Sequence, residues 1–515
     1  MLFHNCRILL SAASLLLCAI GCTGEAPVIH VVTPGITALP DASKADNYIS
    51  TNAREFRLTG IAHAQLPADI EDLSAPDREL RMQKAIDSRL GRVIRAIRNR
   101  VKSVIREKNG GSTSETDSWF IYVKKDAGSS ILREAKEDGT VSFDFTLELV
   151  GNVYLMSGLT PGQSGRRVFD VEVSDFDGTL QETVGVEIAG TESRDAFPRY
   201  NELFEDGIFD IAIHFGGDYN EERLDIQTAE WLVEHLLDSG FSHPTVQSFE
   251  DLKIDSEWFT RTVTVEHRPV EVRVRVVHSD MVEPVEEHKL SDAMKSSMAM
   301  ADVVFYSGHA GPGAGFILDY QPKHEIKAKE FASLDLPSKY QIFVLDGCQT
   351  YRTYVEDLMS NPAKTWDNMN IITTVNTTPF GAGYQVLWEF LHWFTITNDQ
   401  GAHFPLSWKA ILRGVNALTA NFESIHYGVH GVDHNPGLNP HGGAEHLCEP
   451  CSGDDACGAG GNLCLGYGLG ASCGVACTTD SACPQGFRCA RLTDDPKQFY
   501  LPKQCVKRDY MCNRP

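Results

Sequence analysis

Basic residues are scarce in this chain. Among its 515 residues, 46 are Lys or Arg and 70 are Asp or Glu, so the formal net charge is −24. This surplus of negative charge repels a phosphate backbone and excludes nucleic acid as an expected partner. Beyond residue 22 the sequence also has no apolar run of the ~20 residues needed to cross a bilayer. We therefore expect no membrane-spanning helix there.

Cysteine is nearly absent from the long middle of the chain. Of 14 Cys, three (Cys6, Cys18 and Cys22) precede residue 23 and ten follow residue 447, which leaves Cys348 alone between them. A lone thiol in an exported chain that is otherwise rich in cysteine is a candidate nucleophile. The alternative is that Cys348 is a small buried side chain at the end of a strand.

The first 22 residues have the features of an export signal. Arg7 precedes an apolar run over 8–19 that is too short to span a bilayer. The run ends in Ala19-Ile-Gly-Cys22, which resembles the lipobox of bacterial lipoproteins. The resemblance implies cleavage before Cys22, lipidation of its thiol and, because Thr23 follows, an outer-membrane or cell-surface location. An ordinary secretory signal is the alternative, and both imply export.

Two apolar runs in the middle of the chain each end in a polar, glycine-containing turn. The runs are Asp302-Val-Val-Phe-Tyr-Ser-Gly-His-Ala-Gly311 and Tyr340-Gln-Ile-Phe-Val-Leu-Asp-Gly-Cys-Gln-Thr-Tyr351. Unbroken apolar runs of this kind favour parallel strands buried on both faces. We predict a crossover helix near Ile326–Leu334 between them. Parallel neighbours would bring His309 and Cys348 to one edge of the sheet, where an imidazole can raise the thiolate fraction of a cysteine.

Two patterns in these runs resemble the signature of the caspase-like cysteine peptidases. In the first, a hydrophobic block is followed by His and a small residue. In the second, a hydrophobic block is followed by a small residue and Cys. Caspases, legumains, gingipains, clostripain, separase and CHAT-type domains share this signature, and the similarity covers roughly Phe209–Pro379. The resemblance implies a dyad of His309 and Cys348, with an oxyanion bound by the backbone N–H groups of Ala310 and Cys348. The family usually has Gly directly after the His, whereas here Ala310 precedes Gly311.

The residue two positions before the nucleophile lines the specificity pocket in caspases and legumains, and the matching residue here is Asp346. A carboxylate in a partly dry pocket favours a cation, so the resemblance implies cleavage after Arg or Lys. The alternative is that Asp346 points away and caps a nearby turn or helix. No third residue that would orient His309 can be named from the sequence.

The periodicity of the sequence changes several times and predicts separate domains. Ser74 begins an amphipathic helix that runs to about Lys108 and carries eleven Lys or Arg, which suggests either contact with an anionic surface or a solvated face. For the central domain we predict an α/β fold, a three-layer α/β/α sandwich with a mostly parallel sheet. The predicted segments are a signal peptide at 1–22, a tether at 23–52, a β-rich α+β domain at 53–200, the caspase-like domain at 203–425, a linker at 426–447 and a disulfide-rich module at 448–515.

The last part of the chain is rich in histidine and then in cysteine. Five His at 426, 430, 434, 441 and 446 suggest a metal site, but the glycines and prolines between them favour a solvated linker. The even number of cysteines that follow predicts five disulfides, with a zinc site at Cys448-Glu-Pro-Cys451 as the alternative. The ten are Cys448, Cys451, Cys457, Cys464, Cys473, Cys477, Cys483, Cys489, Cys505 and Cys512.

Together these features predict an exported cysteine endopeptidase that is tethered to a membrane through a lipid on Cys22. We expect a protein or peptide substrate, the dyad of His309 and Cys348, and no cofactor or metal. The alternative is a non-catalytic surface or adhesion protein that keeps the caspase-like scaffold only as architecture.

Overall fold

The structure is a computed structural model that describes most of the chain from Tyr48 onward. The described residues are 48–108, 119–122, 130–135, 139–159, 166–175, 178, 180–191, 194–311, 315–320, 322–378, 380–419, 425–467, 470–498, 500–509 and 512.

The described part contains both helices and strands. The strands are β1 (Tyr48–Ser50), β2 (Ala53–Gln65), β3 (Trp119–Tyr122), β4 (Ser130–Ala135), β5 (Thr140–Asn152), β6 (Arg166–Ser174), β7 (Gln181–Gly190), β8 (Ile208–Phe215), β9 (Phe259–Val265), β10 (Arg268–Val277), β11 (Val303–Ser307), β12 (Phe316–Tyr320), β13 (Lys323–Ile326), β14 (Gln341–Asp346), β15 (Met369–Thr374), β16 (Tyr427–His430), β17 (Cys464–Tyr467), β18 (Gly470–Cys473), β19 (Ala476–Cys477), β20 (Phe487–Ala490) and β21 (Lys503–Lys507). The helices are α1 (Ala75–Lys108), α2 (Val153–Met156), α3 (Tyr200–Leu203), α4 (Leu224–Asp238), α5 (His288–Met300), α6 (Thr350–Thr353), α7 (Val355–Met359), α8 (Phe380–Thr395) and α9 (Trp408–Leu418).

The amino-terminal domain is a six-stranded antiparallel sheet that packs against the long helix α1. Its order is β3-β5-β2-β7-β6, and β4 also pairs with β5. α1 agrees with the predicted helix. Apolar residues spaced three and four apart place one stripe of α1 in the core. The buried ones are Ile86, Leu90, Val93, Ile97, Val101 and Ile105.

One basic residue of α1 belongs to the interior and not to a solvated face. Arg89 is 2% exposed, and its guanidinium lies 2.7 Å from Asp175 Oδ1 and 2.8 Å from Glu182 Oε1. Paired in this way, the buried charge ties the helix to the sheet beneath it.

The central domain is built on an eight-stranded mixed sheet in the order β1-β16-β15-β14-β11-β8-β10-β9. The strands β10, β8, β11, β14 and β15 are parallel neighbours, and β9, β16 and β1 run antiparallel to the strands beside them. β10 pairs with both β9 and β8, so the hairpin of β9 and β10 joins the main sheet through β10. The chain is mixed α/β, as predicted.

Helices cover both faces of this sheet, which explains why its central strands read as continuous apolar runs. α4, α8 and α9 pack with alternate residues of the strands on one face, and the core there includes Phe305, Val344 and Tyr427. α5 and α7 pack on the other face, with Tyr306 and Leu345.

Two segments that were predicted to lie outside the central domain are strands of its sheet. β1 falls in the predicted tether and β16 in the predicted linker, and the two pair with each other. Gly428 permits this pairing, because a Cβ at that position would lie 2.1 Å from Cζ of Tyr48. β16 has only four residues, one of them a glycine, so its sequence carries too little local signal to be recognised as a strand.

The crossover between β11 and β14 differs from the predicted helix. It contains the hairpin of β12 and β13, followed by a 3₁₀ helix over Ala328–Ser333. Phe316, Ile326 and Phe331 are buried in the same core. The hairpin and the 3₁₀ helix therefore bury the apolar residues of this crossover, as a helix would have done.

The carboxyl-terminal module contains five disulfides, as the cysteine count predicted. The pairs are Cys448–Cys512, Cys451–Cys464, Cys457–Cys473, Cys477–Cys489 and Cys483–Cys505. Both cysteines of the Cys448-Glu-Pro-Cys451 sequence are therefore disulfide-bonded, which leaves no thiolate there for zinc. In the described residues we find no helix with the length and apolar character needed to cross a membrane.

Candidate active site

The register between β11 and β14 places His309 and Cys348 at the same edge of the main sheet. The two strands run parallel, and their last paired residues are Ser307 and Asp346. His309 lies two residues after Ser307, and Cys348 lies two residues after Asp346. The backbone thus places both residues at the carboxyl edge of the parallel strands, where the sequence predicted them.

The turns that follow the two strands pack closely against each other. The N–H of Gly308 donates to the carbonyl of Asp346 at 3.0 Å. A Cβ at position 347 would lie 2.6 Å from the carbonyl oxygen of Gly308 and 3.1 Å from Cβ of Ala310. Gly347 is therefore required, because any side chain would push the histidine turn away from the cysteine turn.

His309 is held by one carboxylate and two aromatic rings. Its Nε2 lies 3.2 Å from Oδ1 of Asp218, and its side chain is 20% exposed. The Tyr219 ring stacks on the imidazole at 4.7 Å between centroids, and the Tyr320 ring meets it edge-on at 5.0 Å. These contacts fix the plane of the imidazole and leave part of it accessible.

Asp218 is a candidate site residue that sequence reasoning missed. It follows β8 through Gly216 and Gly217, and β8 is the strand beside β11, with Phe215 paired to Ser307. Its side chain is fully buried. Oδ1 also accepts the backbone N–H of Asn220 at 3.1 Å and its Nδ2 at 2.8 Å, and Oδ2 has no hydrogen-bond partner among the described residues. A carboxylate just after a predicted strand was the available signal, but only strand order shows that this strand neighbours the His309 strand.

Cys348 is half-buried and is the one cysteine among the described residues that is not in a disulfide. Its Sγ lies 3.8 Å from the carbonyl oxygen of Thr378. Gln349, directly after it, has a φ of 53° in the left-handed region, and its N–H donates to the carbonyl of Asn376 at 2.9 Å. A non-glycine residue with positive φ beside a candidate nucleophile is a type of backbone strain found at functional sites.

The two backbone groups predicted to bind an oxyanion are available. Within the described ranges, the N–H groups of Ala310 and Cys348 donate to no acceptor. They belong to the two turns that Gly347 brings together. Backbone donors that are not already engaged can stabilise a developing negative charge without reorganising.

Asp346 does not have the position predicted for a residue that lines a specificity pocket. It is 3% exposed; its Oδ2 accepts from Ser307 Oγ at 2.7 Å and its Oδ1 accepts from the Tyr427 hydroxyl at 2.6 Å. Burial raises the pKa of this carboxyl. Asp346 joins β11, β14 and β16 from within the core, so it presents no carboxylate oxygen to a substrate. The structure gives no support to the prediction of cleavage after Arg or Lys.

The histidine-rich segment is mostly interior. His426, His430 and His441 are each about 1–2% exposed. His430 Nε2 lies 3.1 Å from Thr373 Oγ1, and His441 Nε2 lies 3.1 Å from Nδ1 of His403. In the described ranges, the groups of three potential metal ligands consist only of cysteines that form disulfides. The prediction of a solvated linker is wrong for these three histidines, because β16 carries part of the segment into the sheet.

Comparison of the chain with models of protein families, with curated proteins and with solved structures finds no significant match in any of the three. The interpretation of the site therefore depends on its own geometry. The predicted lipidation site, Cys22, lies outside the described residues.

Proposed function

We propose that the chain is a cysteine peptidase of the caspase-like type, with Cys348 as nucleophile and His309 as its base. The observation that carries the proposal is the hydrogen bond between His309 and the buried Asp218 at the sheet edge that also holds the free thiol of Cys348. A buried carboxylate that orients an imidazole near a nucleophile is an arrangement that many acyl-transfer enzymes use.

In the proposed reaction, the Cys348 sulfur attacks the carbonyl carbon of a peptide bond and its proton passes to His309. The carbonyl oxygen becomes an oxyanion that accepts from the N–H groups of Ala310 and Cys348. Collapse of this intermediate breaks the C–N bond, and His309 gives its proton to the leaving amine. Water then attacks the thioester, its proton passes through His309 to the sulfur, and the free acid and the thiol are regenerated.

The proposal is tested by hydrolysis of a broad peptide library by the full chain produced with its export signal. Wild type should cleave, and Cys348→Ala should reduce cleavage to the background rate. Ser360→Ala, which changes a surface hydroxyl bonded to the carbonyl of Asp357, is the matched control and should cleave normally. If wild type and Cys348→Ala are equally inactive after any processing step, the chain is a non-catalytic surface protein.

The setting of this activity is part of the same proposal. Five disulfides are consistent with an extracellular protein, and the lipobox-like sequence would tether it to a membrane through Cys22. Cys22→Ser should release the protein from the membrane fraction of a bacterial host. Release should leave peptide hydrolysis intact, because Cys22 takes no part in the proposed reaction.

A further inference from the structure

A buried polar contact joins the amino-terminal domain to the helix that follows Cys348. The hydroxyl of Tyr351 lies 2.7 Å from Oε2 of Glu148 and also donates to Oε1 of Glu55. The second oxygen of Glu55 accepts from the hydroxyl of Thr191. The contact therefore joins two domains. Tyr351 belongs to the central domain, and Glu55, Glu148 and Thr191 belong to the amino-terminal domain.

The contact is fully enclosed. Glu55, Glu148 and Tyr351 are 1%, 4% and 4% exposed. The Tyr351 ring packs against Tyr48 at 5.2 Å and His430 at 4.8 Å between centroids. Burial of two carboxylates is costly unless their hydrogen bonds are made, so the hydroxyl of Tyr351 cannot leave without a penalty on both sides of the boundary.

The chain between Cys348 and Tyr351 has little freedom. Gln349 has the left-handed backbone described above, and Thr350 begins α6, with its Oγ1 donating to the carbonyl of Leu345 at 2.8 Å. Tyr351 is the second residue of that helix. A displacement of its hydroxyl by about an ångström would therefore be passed to the Cys348 turn, and such misplacements can cost ~10²-fold in rate.

We propose that Tyr351 is a positioning residue: Glu55 and Glu148 hold its hydroxyl and so hold Cys348 where His309 can activate it. The amino-terminal domain thereby sets the reactivity of the thiol. The inference rests on the proposed function only in treating Cys348 as the nucleophile. It gives the amino-terminal domain a role in the site that its sequence, which contains no catalytic constellation, does not show.

The test is the rate at which iodoacetamide alkylates Cys348 in the unreduced full chain, measured by peptide mass spectrometry. This rate reports the thiolate fraction and needs no substrate. Tyr351→Phe keeps the ring and removes the hydroxyl, and we expect alkylation to slow about tenfold or more. Where peptide hydrolysis is measurable, kcat should fall in parallel while KM changes little.

The matched control is Tyr340→Phe. Tyr340 is also buried, precedes the same strand β14 at its other end and donates its hydroxyl to Asn370. It should lose similar folding stability but keep the wild-type alkylation rate. An equal slowing in Tyr340→Phe and Tyr351→Phe, or no slowing in Tyr351→Phe, would overturn the proposal.

A double variant separates positioning from general loosening. If Glu55→Gln and Tyr351→Phe act through one contact, the double variant should react no more slowly than Tyr351→Phe alone, whereas additive effects would contradict the coupling. Should Tyr351→Phe fail to fold, Glu148→Gln takes its place, because it keeps the tyrosine and the Glu55 contact. Absence of peptide hydrolysis in wild type would refute the proposed function, yet the alkylation rates would still decide this inference.

Discussion

Nε2 of His309 lies 3.2 Å from Oδ1 of Asp218, and this contact favours one tautomer of the imidazole ring. A carboxylate oxygen can only accept, so Nε2 carries the proton of the neutral imidazole. In the proposed reaction, Nδ1 would then be the nitrogen that receives the proton of Cys348. In the proposed reaction, Asp218 would orient His309 and stabilise the imidazolium that forms.

The first prediction concerns Asp218→Asn. The amide would turn its own N–H toward Nε2 or favour the other tautomer, and the equivalent change in Ser-His-Asp enzymes costs about 10⁴ in kcat. We expect kcat for peptide hydrolysis to fall by at least ~10² with little change in the free energy of unfolding. Asp302→Asn, at the opposite end of β11, removes a carboxylate bonded to Lys339 and should lose stability but not kcat. Comparable losses of kcat in both variants would contradict the role of Asp218.

The second prediction concerns the substrate preference of Asp346→Asn. Because both oxygens of Asp346 are occupied by Ser307 and Tyr427 inside the core, its replacement should leave the order of preference among substrates ending in Arg, Lys, Asn and Asp unchanged. The measurement is kcat/KM for four fluorogenic peptides that differ only in that residue. A selective loss of the Arg and Lys substrates would restore the predicted pocket role and refute the buried one.

The third prediction follows from the raised pKa of Asp346, which burial causes. A carboxyl whose pKa is higher in the folded protein favours folding while it is protonated, and this contribution is lost as the pH rises through that raised pKa. Asp346→Asn cannot ionise. Its free energy of unfolding relative to wild type should therefore improve as the pH rises from about 4 to about 8. Urea unfolding of both proteins across this range tests the sign, and a relative stability that is independent of pH would contradict it.

The fourth prediction ranks the disulfides by the loops that they close. Cys448–Cys512 spans 64 residues and Cys477–Cys489 spans 12, so loop-closure entropy suggests contributions of ~4 and ~3 kcal/mol to the module. Replacing both members of a pair with Ser should lower the stability of the module, and more so for Cys448–Cys512 than for Cys477–Cys489. The measurement is chemical denaturation followed by the exposure of Tyr467 and its neighbours in the module. The reverse order would show that the native contacts of a pair outweigh the loop term.

Some features of the protein were predictable because they depend on neighbours in the sequence. The amphipathic pattern after Ser74 predicted α1, since helical periodicity is a local property. The apolar runs before His309 and Cys348 indicated two buried strands with chemistry at their ends, and the count of cysteines after residue 447 predicted five disulfides.

Other features were decided only when distant segments met in space. The orienting carboxylate could not be named from sequence, because Asp218 reaches His309 only through the order of β8 and β11. The burial of Asp346 depends on Tyr427, 81 residues away in a strand too short to recognise, and the Tyr351 contact depends on Glu55, 296 residues away. Local patterns indicated the longer buried strands and where their polar turns fall; the pairing of the strands, which no local pattern encodes, decided which side chains share a site.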